Sequence, residues 1–225
     1  SKTVDPDLGY SPYLEAYLRP VLEQIKMHHI KVVSNMGAAN PLAAAKHINK
    51  LAGELGLPPF RIAVLSGDDL SNYLDEQTLL EAPTMEGNQL SGRDLKAANV
   101  YLGGDAVANA LAMDVDIVLV GRTTDSALVL GPLLHEFGWA DDDWDKLAAG
   151  TICGHLLECG AQVTGAYFAD PGFKDVPALA EVGFPVAEVY ESGDFIITKP
   201  ERTGGCVTSA TVTEQLLYCL LYTSP

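Results

Sequence analysis

Ile117-Val-Leu-Val-Gly-Arg-Thr-Thr-Asp125 decides the fold. Four consecutive apolar residues, three of them β-branched, read as a short buried strand. The polar run after them leads into an apolar helical pattern that reaches Phe137. The same order of strand, polar turn and helix appears twice upstream. Ile30-Lys-Val-Val-Ser34 breaks into Asn35-Met-Gly-Ala-Ala-Asn-Pro41, whose last two residues read as N-cap and first position of an Ala-rich helix that stops at Gly56. Phe60-Arg-Ile-Ala-Val-Leu65 is a second strand, followed by the loop Ser66-Gly-Asp-Asp69 and a helix over 70–80. Pro12 opens a helix carrying Leu14, Leu18, Val21, Leu22 and Ile25 to about residue 28. Residues 82–94 are a Gly-, Asn- and Pro-rich loop, and Gly103-Gly-Asp105 opens a helix through Met113. Strands and helices alternating at this spacing imply right-handed βαβ crossovers. The fold class is therefore α/β, a Rossmann-like parallel sheet with flanking helices over residues 1–140, followed by a smaller mixed α+β region over 141–225.

The second region opens on Asp141-Asp-Asp-Trp-Asp145, whose carboxylates suit the positive end of a helix running to about Cys159 better than they suit a metal. Val186–Tyr190 and Phe195–Thr198 flank Ser192-Gly193 as a hairpin. Thr211 and Glu214 have capping-box spacing at the start of a last helix containing Leu216, Leu217 and Leu220.

Composition bounds the function. Fourteen Lys and Arg against 30 Asp and Glu give a formal charge of −16, without any basic run to displace counterions, so nucleic acid is excluded as a partner. An apolar share of 48 % excludes disorder and supports burial of roughly 70 % of the unfolded surface. No apolar stretch approaches the ~18 residues a bilayer span needs, and the N-terminus has neither an h-region nor an Arg-rich amphipathic pattern, so a cytoplasmic protein with no membrane partner is expected. The four cysteines, Cys153, Cys159, Cys206 and Cys219, are too sparse for a disulfide framework and are read as thiols.

In an open parallel sheet, ligands bind outside the carboxyl ends of the strands, where helix N-termini converge. Three such ends carry polar residues: Asn35, Gly37 and Asn40; Ser66, Gly67, Asp68 and Asp69; and Gly121, Arg122, Thr124 and Asp125. Carboxylates there serve as base or cation ligand, and Arg122 can grip a carboxylate or phosphate. Ordinary turn chemistry is the alternative for each loop, since turns favour the same residue types. Gly103-Gly104 lacks the dinucleotide glycine spacing. Thr203-Gly-Gly205 could hold an anion on its backbone N–H groups at Gly204 and Gly205, or be a plain turn. His155 and Cys159 share a helix face, as a nucleophile pair or as a packed thiol beside a hydrogen-bonded histidine. His135 could line the crevice, whereas His28, His29 and His47 read as surface residues. Neither a cofactor nor a metal is assigned.

Asp5-Pro-Asp-Leu-Gly-Tyr10, Lys31-Val-Val-Ser-Asn-Met-Gly37, Gly67-Asp-Asp69, Gly121-Arg122, Leu133-Leu-His-Glu-Phe-Gly-Trp139 and Ala148-Ala-Gly-Thr151 together resemble the acyclic terpene utilisation family, AtuA. His155-Leu-Leu-Glu-Cys-Gly160, Gly183-Phe-Pro-Val-Ala-Glu188, Thr198-Lys-Pro200, Thr203-Gly-Gly205 and Glu214-Gln-Leu-Leu-Tyr218 extend the resemblance over nearly the whole chain. It implies bacterial catabolism of citronellol- and geraniol-type terpenes through acyl-CoA or acid intermediates. Family members begin with a further strand and Gly-rich turn, and Cys219-Leu-Leu-Tyr-Thr-Ser-Pro225 departs from their continuation, so an incomplete gene fragment is expected.

The expected function is a lyase or hydratase acting on a carboxylated or CoA-linked branched intermediate. Arg122 would hold the anion and Asp68 or Asp69 would be base or cation ligand. Asn35 and the Gly-rich turns would orient the substrate, with His135 or His155 as acid. The alternatives are a non-catalytic subunit that binds an acyl-CoA or a partner enzyme, with homo-oligomers also open, and a purely structural reading of the polar loops.

Overall fold

Val32–Ser34 (β1), Ile62–Val64 (β2) and Ile117–Leu119 (β3) form a parallel sheet with β3 in the middle, Val33 and Ala63 both standing opposite Val118. This is a computed structural model describing residues 5–84, 87–88 and 95–218. β3, Ile-Val-Leu throughout, takes the fully buried central place, while the edge strands, β1 ending on Ser34 and β2 carrying the small Ala63, are half-buried.

Helices cover both faces. Leu14–Leu18 (α1), Leu22–His28 (α2) and Pro41–Glu54 (α3) bury Leu14, Leu18, Leu22, Ile25, Ile48 and Leu51 in one core with Ile117 and Leu119. The single helix expected over 12–28 is thus two, with Pro20 between them, because proline has no N–H to donate and clashes with the preceding turn. α3 starts as expected, with Pro41 at its first turn and the Asn40 side chain accepting from Ala43 N at 3.3 Å. Only Glu76–Glu81 (α4) of the helix expected over 70–80 is α-helical. Asp69 caps a 3-10 turn at Leu70–Asn72 and Asp75 caps α4, so two short turns replace one helix. Gly104–Leu111 (α5) packs on β3, burying Val107, Ala110 and Leu111; Val118 and Val120 alternate with the residues of the first core and belong to this side. Residues 85–86 and 89–94 of the expected 82–94 loop lie outside the described residues.

Two compact units result, one running to Thr124 and the other beginning at Asp125. The second contains Ala127–Phe137 (α6), Trp144–Glu158 (α7), the antiparallel hairpin Val186–Val189 (β4) with Phe195–Thr198 (β5), and Ser209–Leu217 (α8). The sequence boundary at 140 leaves α6 with the sheet, whereas α6 packs against α7 across small residues. A Cβ on Gly150 would stand 2.9 Å from Leu130 Cδ1, and one on Gly154 would stand 2.7 Å from Ser126 Cα. Asp143 opens α7, accepting from Ala140 N and Lys146 Nζ. The capping box of α8 lies one turn earlier than Thr211 and Glu214 suggest, being formed by Thr208 and Thr211. Its buried face is Thr211 and Gln215, while Leu216 and Leu217 are exposed; Leu220 and Cys219 lie outside the described residues.

Candidate functional site

Three strand ends of the first unit converge on Asp68. Its carboxylate is buried and its Oδ2 accepts from the Arg122 backbone N–H at 2.9 Å and from the Asn99 amide at 3.3 Å. A Cβ on Gly121 would collide with that same Asp68 oxygen and lie 2.9 Å from the Ala38 carbonyl; one on Gly37 would lie 2.6 Å from the Val120 carbonyl. Glycine at 37 and 121 therefore lets the turns after β1 and β3 close on the loop after β2, and Gly67, at φ +119°, supplies the left-handed backbone that turns Asp68 inward.

Residues 98–102, which the sequence reading passed over, lace these loops together. Leu70 N donates to Ala98 O, Val100 N to Asp68 O, and Leu102 bridges to Thr123 through Arg122 O and Thr124 N. The segment also brings Tyr101 beneath the exposed Arg122 guanidinium, 5.8 Å from the ring centroid. The β-branched and aromatic run Val100-Tyr-Leu102 ahead of Gly103 is the signal the sequence offers for it. The arrangement presents a cation braced on an aromatic face, above a buried carboxylate that holds the Arg122 backbone in place.

The other residues singled out in the first unit divide by what they touch. Asn35 is exposed at the turn, and its carbonyl accepts from Ala38 N. Asp69 is a turn cap, accepting from Ser71 N at 3.1 Å and from its hydroxyl at 2.5 Å. Asn40 is buried, caps α3, and donates to the carbonyls of Pro6 and Leu8 at 2.7 and 2.8 Å, so its amide fastens the Asp5–Gly9 segment. His47 is not a bare surface residue: it stacks on Tyr10 at 5.6 Å, contacts Glu15 at 3.1 Å, and lines a cavity of about 480 Å³ with Leu8 and Pro12.

In the second unit, Asp125 and His155 line one cavity of about 400 Å³ with Ser126 and Thr151. The His155 ring donates Nε2–H to the Gln215 carbonyl at 2.9 Å, and the Gln215 amide returns a bond to the His155 carbonyl at 2.8 Å. Burial, with the Glu158 carboxylate 2.8 Å away, pushes the Cys159 thiol up to about 11, so it stays protonated at neutral pH and is a packed thiol rather than an activated nucleophile. His135 sits in the last turn of α6, about 12 Å along the axis from Ala127. Gly204 and Gly205 form no anion nest. Their N–H groups donate to the carbonyls of Glu181 at 2.7 Å and Pro177 at 2.8 Å, and a Cβ on Gly204 would collide with the Ala178 carbonyl. Among the described residues, no group of three or more His, Cys, Asp and Glu is placed to hold a metal, and no helix is long and apolar enough to cross a membrane.

A parallel α/β sheet with polar turns gathered at its carboxyl edge, followed by a helix-and-hairpin unit, is the class of protein the fold and these loops define. Residues 1–221 match the family described as acyclic terpene utilisation family protein AtuA, and the chain belongs to that family. No curated protein and no solved structure matches it.

Proposed function

We propose that this chain is a cytoplasmic catabolic enzyme of lyase or hydratase type that acts on a carboxylated or CoA-linked branched-chain intermediate at the carboxyl edge of its parallel sheet. The observation that supports this best is the exposed Arg122 guanidinium, braced by Tyr101 at 5.8 Å and fixed at its backbone by Asp68. A carboxylate or phosphate takes two parallel N–H donors from such a side chain. The donor groups around Asp68 favour a positioning role for it, and a substrate reaching the turn would meet Arg122 and the exposed Asn35.

Calorimetry of the chain with CoA thioesters and free branched acids tests the reading. Loss of a charge-assisted pair corresponds to roughly 10- to 100-fold in affinity, and Arg122→Ala is expected to weaken binding by that much. Equal affinity in wild type and variant would refute it.

The hydrogen bonds made by Asp68 also favour a second reading, a subunit that binds the same ligand or a partner enzyme without turning it over. A buried carboxylate already engaged by two donors has less capacity left for proton transfer. Ligand binding without product formation over hours distinguishes the two.

A further inference from the structure

The cavity of about 400 Å³ in the second unit is lined by Asp125, Ser126, Thr151 and His155 together with Ile152 and Leu216. Gly154 lets its walls meet, because a Cβ there would stand 2.7 Å from Ser126 Cα and hold α7 off the start of α6. The hydrogens of this lining are already spent on backbone carbonyls. His155 gives its Nε2–H to the Gln215 carbonyl at 2.9 Å, which leaves the neutral ring a lone pair at Nδ1. Thr151 gives its hydroxyl hydrogen to the Leu147 carbonyl at 2.8 Å and keeps only acceptor capacity. Ser126 makes no capping bond to α6, so its hydroxyl can accept as well as donate. With the Asp125 carboxylate added, the lining is one of acceptors.

Charge points the same way. Neither Lys nor Arg is among the described residues that line the cavity. The positive start of α6 and the negative end of α7, whose last turn carries His155, oppose one another, and the full charge of Asp125 remains. Glu158 and Asp125 both add to the burial that keeps the Cys159 thiol protonated, so a second carboxylate lies near. An incoming carboxylate or phosphate would meet acceptors where it needs donors. A primary ammonium instead brings three N–H donors and a positive charge, and the half-exposed Ile152 and Leu216 offer apolar surface for an aliphatic chain.

We propose that this cavity binds a primary aliphatic ammonium, its N–H groups shared among Asp125, His155 Nδ1 and Thr151 Oγ1 and its chain lying on Ile152 and Leu216. The site is independent of the Arg122 reading.

Ligand-observed NMR titration of the full chain with hexylammonium, and with hexanol and hexanoate as neutral and anionic matches, tests it. The titration is run at pH 8, above the ordinary imidazole range and below that of an alkylammonium. Hexylammonium binds saturably, and both matches bind at least about tenfold more weakly, the scale of one charge-assisted hydrogen bond. Asp125→Asn weakens hexylammonium by a similar factor and Thr151→Val by about threefold, both being changes at exposed positions. Asp141→Asn, at an exposed carboxylate outside the cavity lining, leaves affinity unchanged, which separates the site from simple attraction to a chain of net charge −16. Absence of saturable binding, equal affinity for hexanol or hexanoate, undiminished affinity in Asp125→Asn or Thr151→Val, or an equal loss in Asp141→Asn overturns the proposal.

Discussion

Single residues carry the closures on which the strand-end loops depend. A methyl group on Gly121 has nowhere to go between the Asp68 carboxylate and the Ala38 carbonyl. Gly121→Ala is expected to destabilise the chain by about 1–3 kcal/mol, the scale of overpacking. Adding Asp68→Ala recovers part of that loss, and additive denaturant midpoints in the double variant would contradict the shared contact. Asn40→Ala removes a helix cap and two carbonyl bonds, a loss of roughly 2 kcal/mol, readable in chemical denaturation. Cys153 and Cys159 are both pushed up to about 11, the first by burial alone, the second by burial together with Glu158. Since these two folded thiols hold their protons above the ordinary thiol range, iodoacetamide labelling at Cys153 and Cys159 of the native chain, read by peptide mass, stays slow at pH 8 and accelerates only towards pH 11. Their contribution to stability is complete below the ordinary thiol range and declines as pH rises from there to about 11. Fast labelling of Cys159 at pH 7 would revive the nucleophile reading.

At the scale of elements, an ion network ties the starts of the strands together. Asp116 accepts from Lys26 of α2 at 2.7 Å and from the Arg61 N–H at the head of β2 at 2.8 Å. Burial works to raise its pKa, but these two donors outweigh it and hold the carboxyl below its ordinary value. A depressed folded pKa means the stabilisation is complete above about pH 4, the ordinary carboxyl value, and is lost as pH falls from there through the lower folded one. Asp116→Asn should therefore cost about 1–2 kcal/mol at neutral pH and flatten the acid limb of the stability curve; an unchanged acid limb would exclude Asp116 as its source. Thr208→Ala removes the box that starts α8, worth about 1 kcal/mol, and should speed amide exchange over the first turn of that helix. The three strands were legible as β-branched runs because a strand between covered faces is apolar throughout. The break at Pro20 was missed because Leu14, Leu18, Leu22 and Ile25 keep helical spacing across it and bury in one core. The cap of α8 was misplaced because Thr208 with Thr211, like Thr211 with Glu214, offers two oxygen acceptors three residues apart, and only backbone geometry chooses between the pairs.

Over the whole molecule, the proposed Arg122 site lies within the first unit, which gives a direct way to locate it. Hydrogen exchange with a CoA thioester should protect residues 66–72, 98–102 and 120–124. Protection confined to other peptides would contradict that placement. What the sequence determined by itself was the parallel α/β class, the net charge of −16 and the family, because composition, strand length, helical spacing and collinear motifs are local properties of the chain. What only the tertiary structure decided was the environment of each polar side chain. Asp68 and Asp69 are neighbours of identical chemistry, yet one is buried against Arg122 and Asn99 and the other caps its own turn. Gln215 attracts no notice as a sequence letter, yet it is fully buried and its amide donates to the His155 carbonyl 60 residues away. Pairing and desolvation depend on which distant segments come to rest against a residue, and no local pattern encodes that.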